Sequence, residues 1–141
     1  WTAEDAALFT QRADRLAQQY SDIIVVDSVH ANGRFTLGRN IVRVRWLMVA
    51  HLAYLNSLEG RRYRLRSTVL PMNSVLFGVC QSLGSKYPSR RNLASDQDRP
   101  HSLGKWRVNA ALRNIDAFYT AFDIKEGEPM YMLPADRVVI W

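Results

Sequence analysis

Ala6, Phe9, Ala13, Leu16 and Tyr20 recur at alternating spacings of three and four residues. That is the period of one helix face, so the opening of the chain is committed to an amphipathic helix that must bury its apolar stripe. Thr2-Ala3-Glu4-Asp5 is a capping-box-like start, with a hydroxyl placed to accept a backbone N–H and an acid three residues on to return the bond. A second helical period runs from about Asn40 to Glu59 through Ile41, Val44, Met48, Leu52 and Leu55, and Gly60 is its natural stop. Between the two lies the β-branched run Ile23 to Val26. Asn32-Gly33 then sits between Val29 and Phe35-Thr36-Leu37, where a tight turn can use positive φ, which predicts a short strand and hairpin.

Beyond Gly60 the pattern weakens. Residues 61–71 show no consistent period, and Pro71 precedes a third predicted helix from about Asn73 to Lys86, weakened by Gly78 and Gly84. Residues 88–104, with Pro88, Pro100 and Gly104, read as a loop. Asn114 is expected to cap a last helix whose face is Ile115, Phe118, Ala121 and Phe122. Gly127, Pro129 and Pro134 then lead to Val138-Val139-Ile140-Trp141, an expected docked strand end. There is no internal repeat and no low-complexity linker, so the fold class expected is mainly α with small β elements.

The length of 141 residues suffices for one compact domain with a real core. An apolar fraction of 48% with 11% aromatics argues against disorder, and no stretch approaches the roughly 20 apolar residues of a membrane-spanning helix. The chain therefore reads as soluble and globular. It opens on Trp1-Thr2 at a helix start, with no initiator Met and no signal-type segment, which reads as a cut end. Cys80 is the only cysteine, so no internal disulfide forms, and its expected role is that of a small buried apolar residue.

The net charge of +6 is local. From Arg34 to Arg66 stand Arg34, Arg39, Arg43, Arg45, Arg61, Arg62, Arg64 and Arg66 against the single acid Glu59, while the rest of the chain is nearly neutral. A window of this kind needs a local explanation.

Three segments together carry a specific resemblance: His30-Ala31-Asn32-Gly33-Arg34-Phe35-Thr36-Leu37-Gly38, then Pro100-His101-Ser102 with Gly104-Lys105-Trp106-Arg107-Val108-Asn109, then terminal Trp141. In order and spacing the chain resembles the C-terminal portion of the catalytic domain of the neprilysin-like zinc metallopeptidases, also called the endothelin-converting-enzyme or oligopeptidase family. The likeness covers nearly the whole chain. It implies a single partial domain over residues 1–141, the C-terminal part of a thermolysin-like (gluzincin) catalytic domain. It also implies a peptide substrate, the remainder of the catalytic domain as partner, and an extracytoplasmic site.

In that family two histidines of an H-E-x-x-H helix hold zinc, because the i, i+4 spacing points both imidazoles at one metal while the Glu activates water. No such motif exists here, and His30, His51 and His101 are too far apart in sequence to imitate it. His30 reads as a turn histidine and His51 as a helix-face histidine. The family's third ligand is the Glu of E-N-I-A-D, whose Asp steadies a zinc-bound His from behind. The matching stretch is Arg39-Asn40-Ile41-Val42-Arg43, with arginine in place of both carboxylates. A guanidinium has no lone pair to donate and repels a cation, so zinc, the family's cofactor, is not expected on this chain alone. His101 and Arg107 do match. The resemblance implies that His101 donates to the oxyanion of the tetrahedral intermediate and that Arg107 binds a backbone carbonyl of the substrate.

The arginines coincide with the departures from the family pattern, and the genetic code offers a reason. Arg43-Val44-Arg45-Trp46-Leu47, if encoded CGA-GTC-AGG-TGG-C, becomes Glu-Ser-Gly-Gly when read one nucleotide later, which is the family's acid, any residue, then Gly-Gly. Arg66 to Val75 in the other shift can read Ile-Asp-Gly-Phe-Thr-Asp-Glu-Gln-Arg-Phe, again close to the family, and Val79-Cys80 can read Tyr-Ala. The clustering predicts that parts of residues 39–46 and 61–80 derive from shifted frames.

Three functions follow from these readings. One is a segment of an active zinc metalloendopeptidase, incompetent as an isolated chain because its ligands cannot be assembled from these residues. Another is a pseudopeptidase in which Arg39 and Arg43, four residues apart on a helix, receive a substrate carboxylate or an acidic partner. The third is a basic module using Arg61-Arg62-Tyr63-Arg64-Leu65-Arg66 on nucleic acid. The family match disfavours the third, and no nucleic acid is expected.

Overall fold

The computed structural model of the chain describes residues 1–58, 102 and 104–140. Helix α1 spans Ala3–Ser21, strands β1 and β2 span Ile24–Val26 and Val29–His30, and helix α2 spans Gly33–Leu58. Helices α3 and α4 span Gly104–Leu112 and Asp116–Phe122, and a 3₁₀ turn covers Pro134–Asp136. The described chain is mainly helical with one small two-stranded sheet. The third predicted helix from Asn73 to Lys86, the basic run 61–66, Cys80, His101 and Trp141 lie outside the described residues, as do the frame-shift segment 61–80 and nearly all of the predicted 88–104 loop.

The capping box forms as the sequence dictates. The Thr2 hydroxyl accepts from the Asp5 N–H at 3.1 Å, and the Asp5 carboxylate in turn accepts from the Thr2 N–H. From there α1 buries Ala13, Leu16, Ala17 and Tyr20, while Phe9 is half-buried and Ala6 stays exposed. Ile41, Val44 and Leu47 of α2 meet this face, whereas Leu52 and Leu55, expected to be inward, are exposed. The core is completed by Val108, Ala111 and Leu112 of α3, Phe118 and Tyr119 of α4, and Val138 and Ile140 of the tail.

The hairpin exists, but Asn32-Gly33 does not make its turn. β1 and β2 pair antiparallel, Ile24 with His30 and Val26 with Val29, and the chain reverses through Asp27 at φ 49°. Asn32 instead starts α2: its side-chain oxygen accepts from the Phe35 N–H at 2.9 Å, satisfying one of the donors that a helix start leaves open. Phe35-Thr36-Leu37 is consequently the first turn of a helix that begins well before Asn40. Gly33 is required by packing, since a Cβ there would overlap the Ala17 carbonyl oxygen of α1.

Three further expectations are corrected. Gly104, read as the end of a loop, begins helix α3, and α4 begins at Asp116 with Ile115, not Asn114, in the capping position. Asn114 is buried and spends its side chain on tertiary bonds: it donates to Gln19 Oε1 at 2.9 Å and to the Ala110 carbonyl at 3.0 Å, and accepts from the Val138 N–H at 2.7 Å. The terminal apolar run is docked without being a strand. Val138 and Ile140 are buried, and Arg12 holds the Ile140 carbonyl at 3.0 Å in place of a ladder. No helix among the described residues is long and apolar enough to cross a membrane.

Candidate functional site

A polar seam crosses the otherwise apolar junction of α2 with the start of α3. The Thr36 hydroxyl donates to the Asn32 carbonyl at 3.0 Å, and Asn40 Nδ2 donates to Thr36 Oγ1 at 3.0 Å. Asn40 is only 2% exposed, so its remaining oxygen must find a donor inside the protein. Ser102 supplies it, with Oγ 3.1 Å from Asn40 Oδ1. The Ser102 carbonyl in turn accepts from Arg107 Nε at 2.6 Å. This chain of bonds fixes where Arg107 sits relative to α2. It leaves the guanidinium's other donors uncommitted among the described residues.

Arg43 lies on α2 one turn beyond Asn40 and is half-buried. Its pKa is pushed below the ordinary arginine value, first by burial and then by the like charge of Arg107, with Tyr20 opposing. Tyr20, on the last turns of α1, is fully buried and its hydroxyl has no hydrogen-bond partner among the described residues. Burial drives its pKa above the usual phenol range, and the Arg43 charge acts against that rise. The charge of Arg43 on α2 thus acts on Tyr20 of α1 and is acted on by Arg107 of α3. No carboxylate is among the groups acting on Arg43, and neither arginine forms an ion pair among the described residues.

Of the residues marked in sequence, Arg107 joins the polar seam, and His101, next to Ser102 in the chain, lies outside the described residues. Arg39 is exposed, so the face it shares with Arg43 along α2 is partly solvent. His30 is in β2 rather than a turn, with Nδ1 2.8 Å from the Ser21 carbonyl oxygen, and His51 is a half-buried position on α2. Among the described residues no group of three or more His, Cys, Asp or Glu could hold a metal ion. Positions 39 and 43 carry guanidiniums, which do not ligate zinc. Tyr20, Asn40 and Ser102 were not marked as site residues. A polar Asn40 beside the apolar period of α2 was the available signal, whereas nothing in the sequence tells that the Tyr20 hydroxyl is left dry.

The Peptidase family M13 model matches residues 1–138. Neprilysin-1 of Caenorhabditis elegans is 30% identical across the whole chain, which covers 19% of that protein. Endothelin-converting enzyme 1 of Mus musculus is 31% identical, again across the whole chain and 18% of its own length. Membrane metallo-endopeptidase-like 1 of the same species is 30% identical. The chain thus spans about a fifth of the length of these relatives. Among solved structures, the Mycobacterium tuberculosis zinc metalloprotease Zmp1, in complex with an inhibitor, superposes with a TM-score of 0.91 at 33% identity. That superposition covers all of this chain and 22% of that one.

Proposed function

This chain belongs to peptidase family M13, a family of zinc metallopeptidases, and from that membership we propose that it is the C-terminal segment of a zinc metalloendopeptidase catalytic domain acting on peptides. The observation that carries the reading is the match over residues 1–138 together with the close superposition on a zinc metalloprotease. Within it Arg107, locked to the Ser102 carbonyl, is a substrate-binding residue suited to a peptide carbonyl, and His101 is the catalytic hydrogen-bond donor. The histidine pair and the water-activating Glu belong to the remainder of the domain, and the third metal ligand to position 39, where this reading requires Glu in place of Arg39. An extracytoplasmic site fits relatives such as the one named as a membrane metallo-endopeptidase.

The outer face of α2 supports a segment that needs a partner. Phe35, Val42, Trp46 and Val49 lie at spacings of seven, four and three and are 52%, 66%, 55% and 49% exposed. A helix side this apolar is normally covered in a finished domain. The remainder of the catalytic domain is the proposed cover.

The isolated chain is expected to show no zinc-dependent peptide hydrolysis. Assay of the purified chain against a broad peptide mixture, with and without added zinc, tests this. Turnover that needs zinc and is lost with a chelator overturns the reading.

A second reading is favoured by one observation: Arg107 adds its like charge to Arg43, and neither forms an ion pair among the described residues. On it the protein is a pseudopeptidase that keeps the fold and uses the cleft to bind. Zinc stoichiometry of the protein that carries this chain separates the two, since one bound catalytic zinc excludes the second.

A further inference from the structure

We infer that Ser102, anchored by Asn40, is a positioning residue for peptide binding that acts through the Arg107 guanidinium. The inference rests on the proposal above that Arg107 binds the substrate. It does not depend on which residues are encoded at positions 39 and 43, because Asn40 is the Asn of the family's E-N-I-A-D pattern and Ser102 lies outside the shifted segments.

The bonds form one directed chain. Thr36 gives its proton to the Asn32 carbonyl at 3.0 Å, so its oxygen is left as the acceptor facing Asn40. Asn40 therefore presents its amide nitrogen to Thr36, 3.0 Å away, and keeps its oxygen for another donor. Ser102 is that donor at 3.1 Å, and the carbonyl of the same residue accepts from Arg107 Nε at 2.6 Å. Every donor in the series points from Arg107 toward the start of α2, so each bond polarises the next. Thr36, Asn40 and Ser102 are all buried, which keeps water from competing for these groups.

The consequence for Arg107 is geometric. The Ser102 hydroxyl ties its own backbone to Asn40, and the carbonyl on that backbone lies two residues ahead of α3, outside the ladder of the helix. A guanidinium held there at Nε keeps its terminal nitrogens for another acceptor and loses much of the freedom of a long side chain. A peptide carbonyl then meets donors that are already ordered. Without the Ser102 hydroxyl the carbonyl is released, and ordering Arg107 is moved into the binding step, where it weakens affinity.

The test reads peptide affinity in the protein that carries this chain. Fluorescein-labelled oxidised insulin B chain is the probe, and stopped-flow anisotropy reports its binding before any bond is cleaved. Ser102→Ala is expected to weaken binding roughly threefold to tenfold, the effect of ordering one long side chain. Ser102→Cys, close in volume but a weak donor, is expected to share the loss, and Ser102→Thr, larger but with its hydroxyl, to escape most of it. That ordering decides the matter even if Ser102→Ala does not fold. Arg107→Met is expected to weaken binding roughly tenfold or more, and beside it Ser102→Ala is expected to have no further effect. Asn114→Ala breaks the separate tie to Val138, lowers stability at least as much, and is expected to leave the affinity unchanged. No loss in Ser102→Ala, the reverse order of the Cys and Thr variants, a loss that persists undiminished beside Arg107→Met, or an equal loss in Asn114→Ala overturns the positioning role and leaves that of Arg107 standing. Arg107→Met without any loss overturns the substrate-binding reading of Arg107, and the positioning role falls with it.

Discussion

The hydroxyl of Ser102 donates to the buried side-chain oxygen of Asn40 at 3.1 Å, and this contact joins two parts of the chain 62 residues apart. Because Asn40 is 2% exposed, water cannot replace the lost donor. Asn40→Ala should cost about 1–3 kcal/mol and Ser102→Ala less, since a hydroxyl removed from the edge leaves only one acceptor unpaired. A double-mutant cycle by urea denaturation checks the coupling, and additive effects would mean the contact is not formed.

Asn114 and Val138 make the second long-range tie. Asn114 is 1% exposed and uses both ends of its amide, so Asn114→Ala strands the Val138 N–H and the Gln19 oxygen together. The expected loss is roughly 2–3 kcal/mol, near the top of the range for a buried unsatisfied group. Asn114→Asp keeps the acceptor for Val138 but not the donors. It should fall between wild type and alanine in thermal denaturation.

Arg137 acts through its shape more than its charge. Its guanidinium carbon lies 3.5 Å from the Tyr119 ring centroid, and Nε bonds the Met132 carbonyl at 3.1 Å. Its ion pair with Asp116 at 2.7 Å reaches a carboxylate that is 85% exposed. Arg137→Lys keeps the charge and loses the plane, and should cost about 1 kcal/mol or more. Asp116→Ala should cost under about 1 kcal/mol, as exposed ion pairs do. Equal losses in the two variants would refute the distinction.

How much of this was legible follows from what each residue signals locally. The α1 stripe and its Thr2 cap depend on near neighbours only, so periodicity and capping chemistry sufficed. Asn32-Gly33 is ambiguous by nature: the same pair can turn a hairpin or start a helix, and the close approach to Ala17 chose the helix. α3 is short, and its buried Val108, Ala110, Ala111 and Leu112 form no clean stripe. Asn114 has an ordinary capping residue's chemistry and was claimed by distant partners instead. At the site, Arg107 was legible through the family motif, whereas the action of its charge on Arg43 arises from helices that only the fold brings together.

Tyr20 sets a pH dependence with a definite sign. Its folded pKa is raised by burial above the unfolded value of 10.0, so the folded state holds a proton that the unfolded state releases. The neutral phenol therefore stabilises fully below pH 10.0, and stability should fall as pH climbs beyond it. Tyr119, also raised by burial, acts in the same direction. Tyr20→Phe should flatten part of the alkaline fall in Tm. Because it deletes a hydroxyl that has no partner among the described residues, it should cost little or nothing at neutral pH. An unchanged alkaline slope in the variant would show that Tyr20 ionises freely.

The like charges of Arg43 and Arg107 also bear on the coding sequence. Two half-buried like charges with no counter-ion among the described residues are costly, and a carboxylate at position 43 would turn that repulsion into attraction. A frame shifted by one nucleotide can supply that acid, since codons available to Arg43 through Leu47 can read Glu-Ser-Gly-Gly. The prediction is that independent resequencing of the gene finds compensating insertions and deletions around codons 39–46 and 61–80, with Glu restored at position 39. An unshifted reading that gives the printed residues with full coverage sinks it. In that case the arginines are encoded, and the zinc stoichiometry of the protein that carries this chain becomes the decisive measurement.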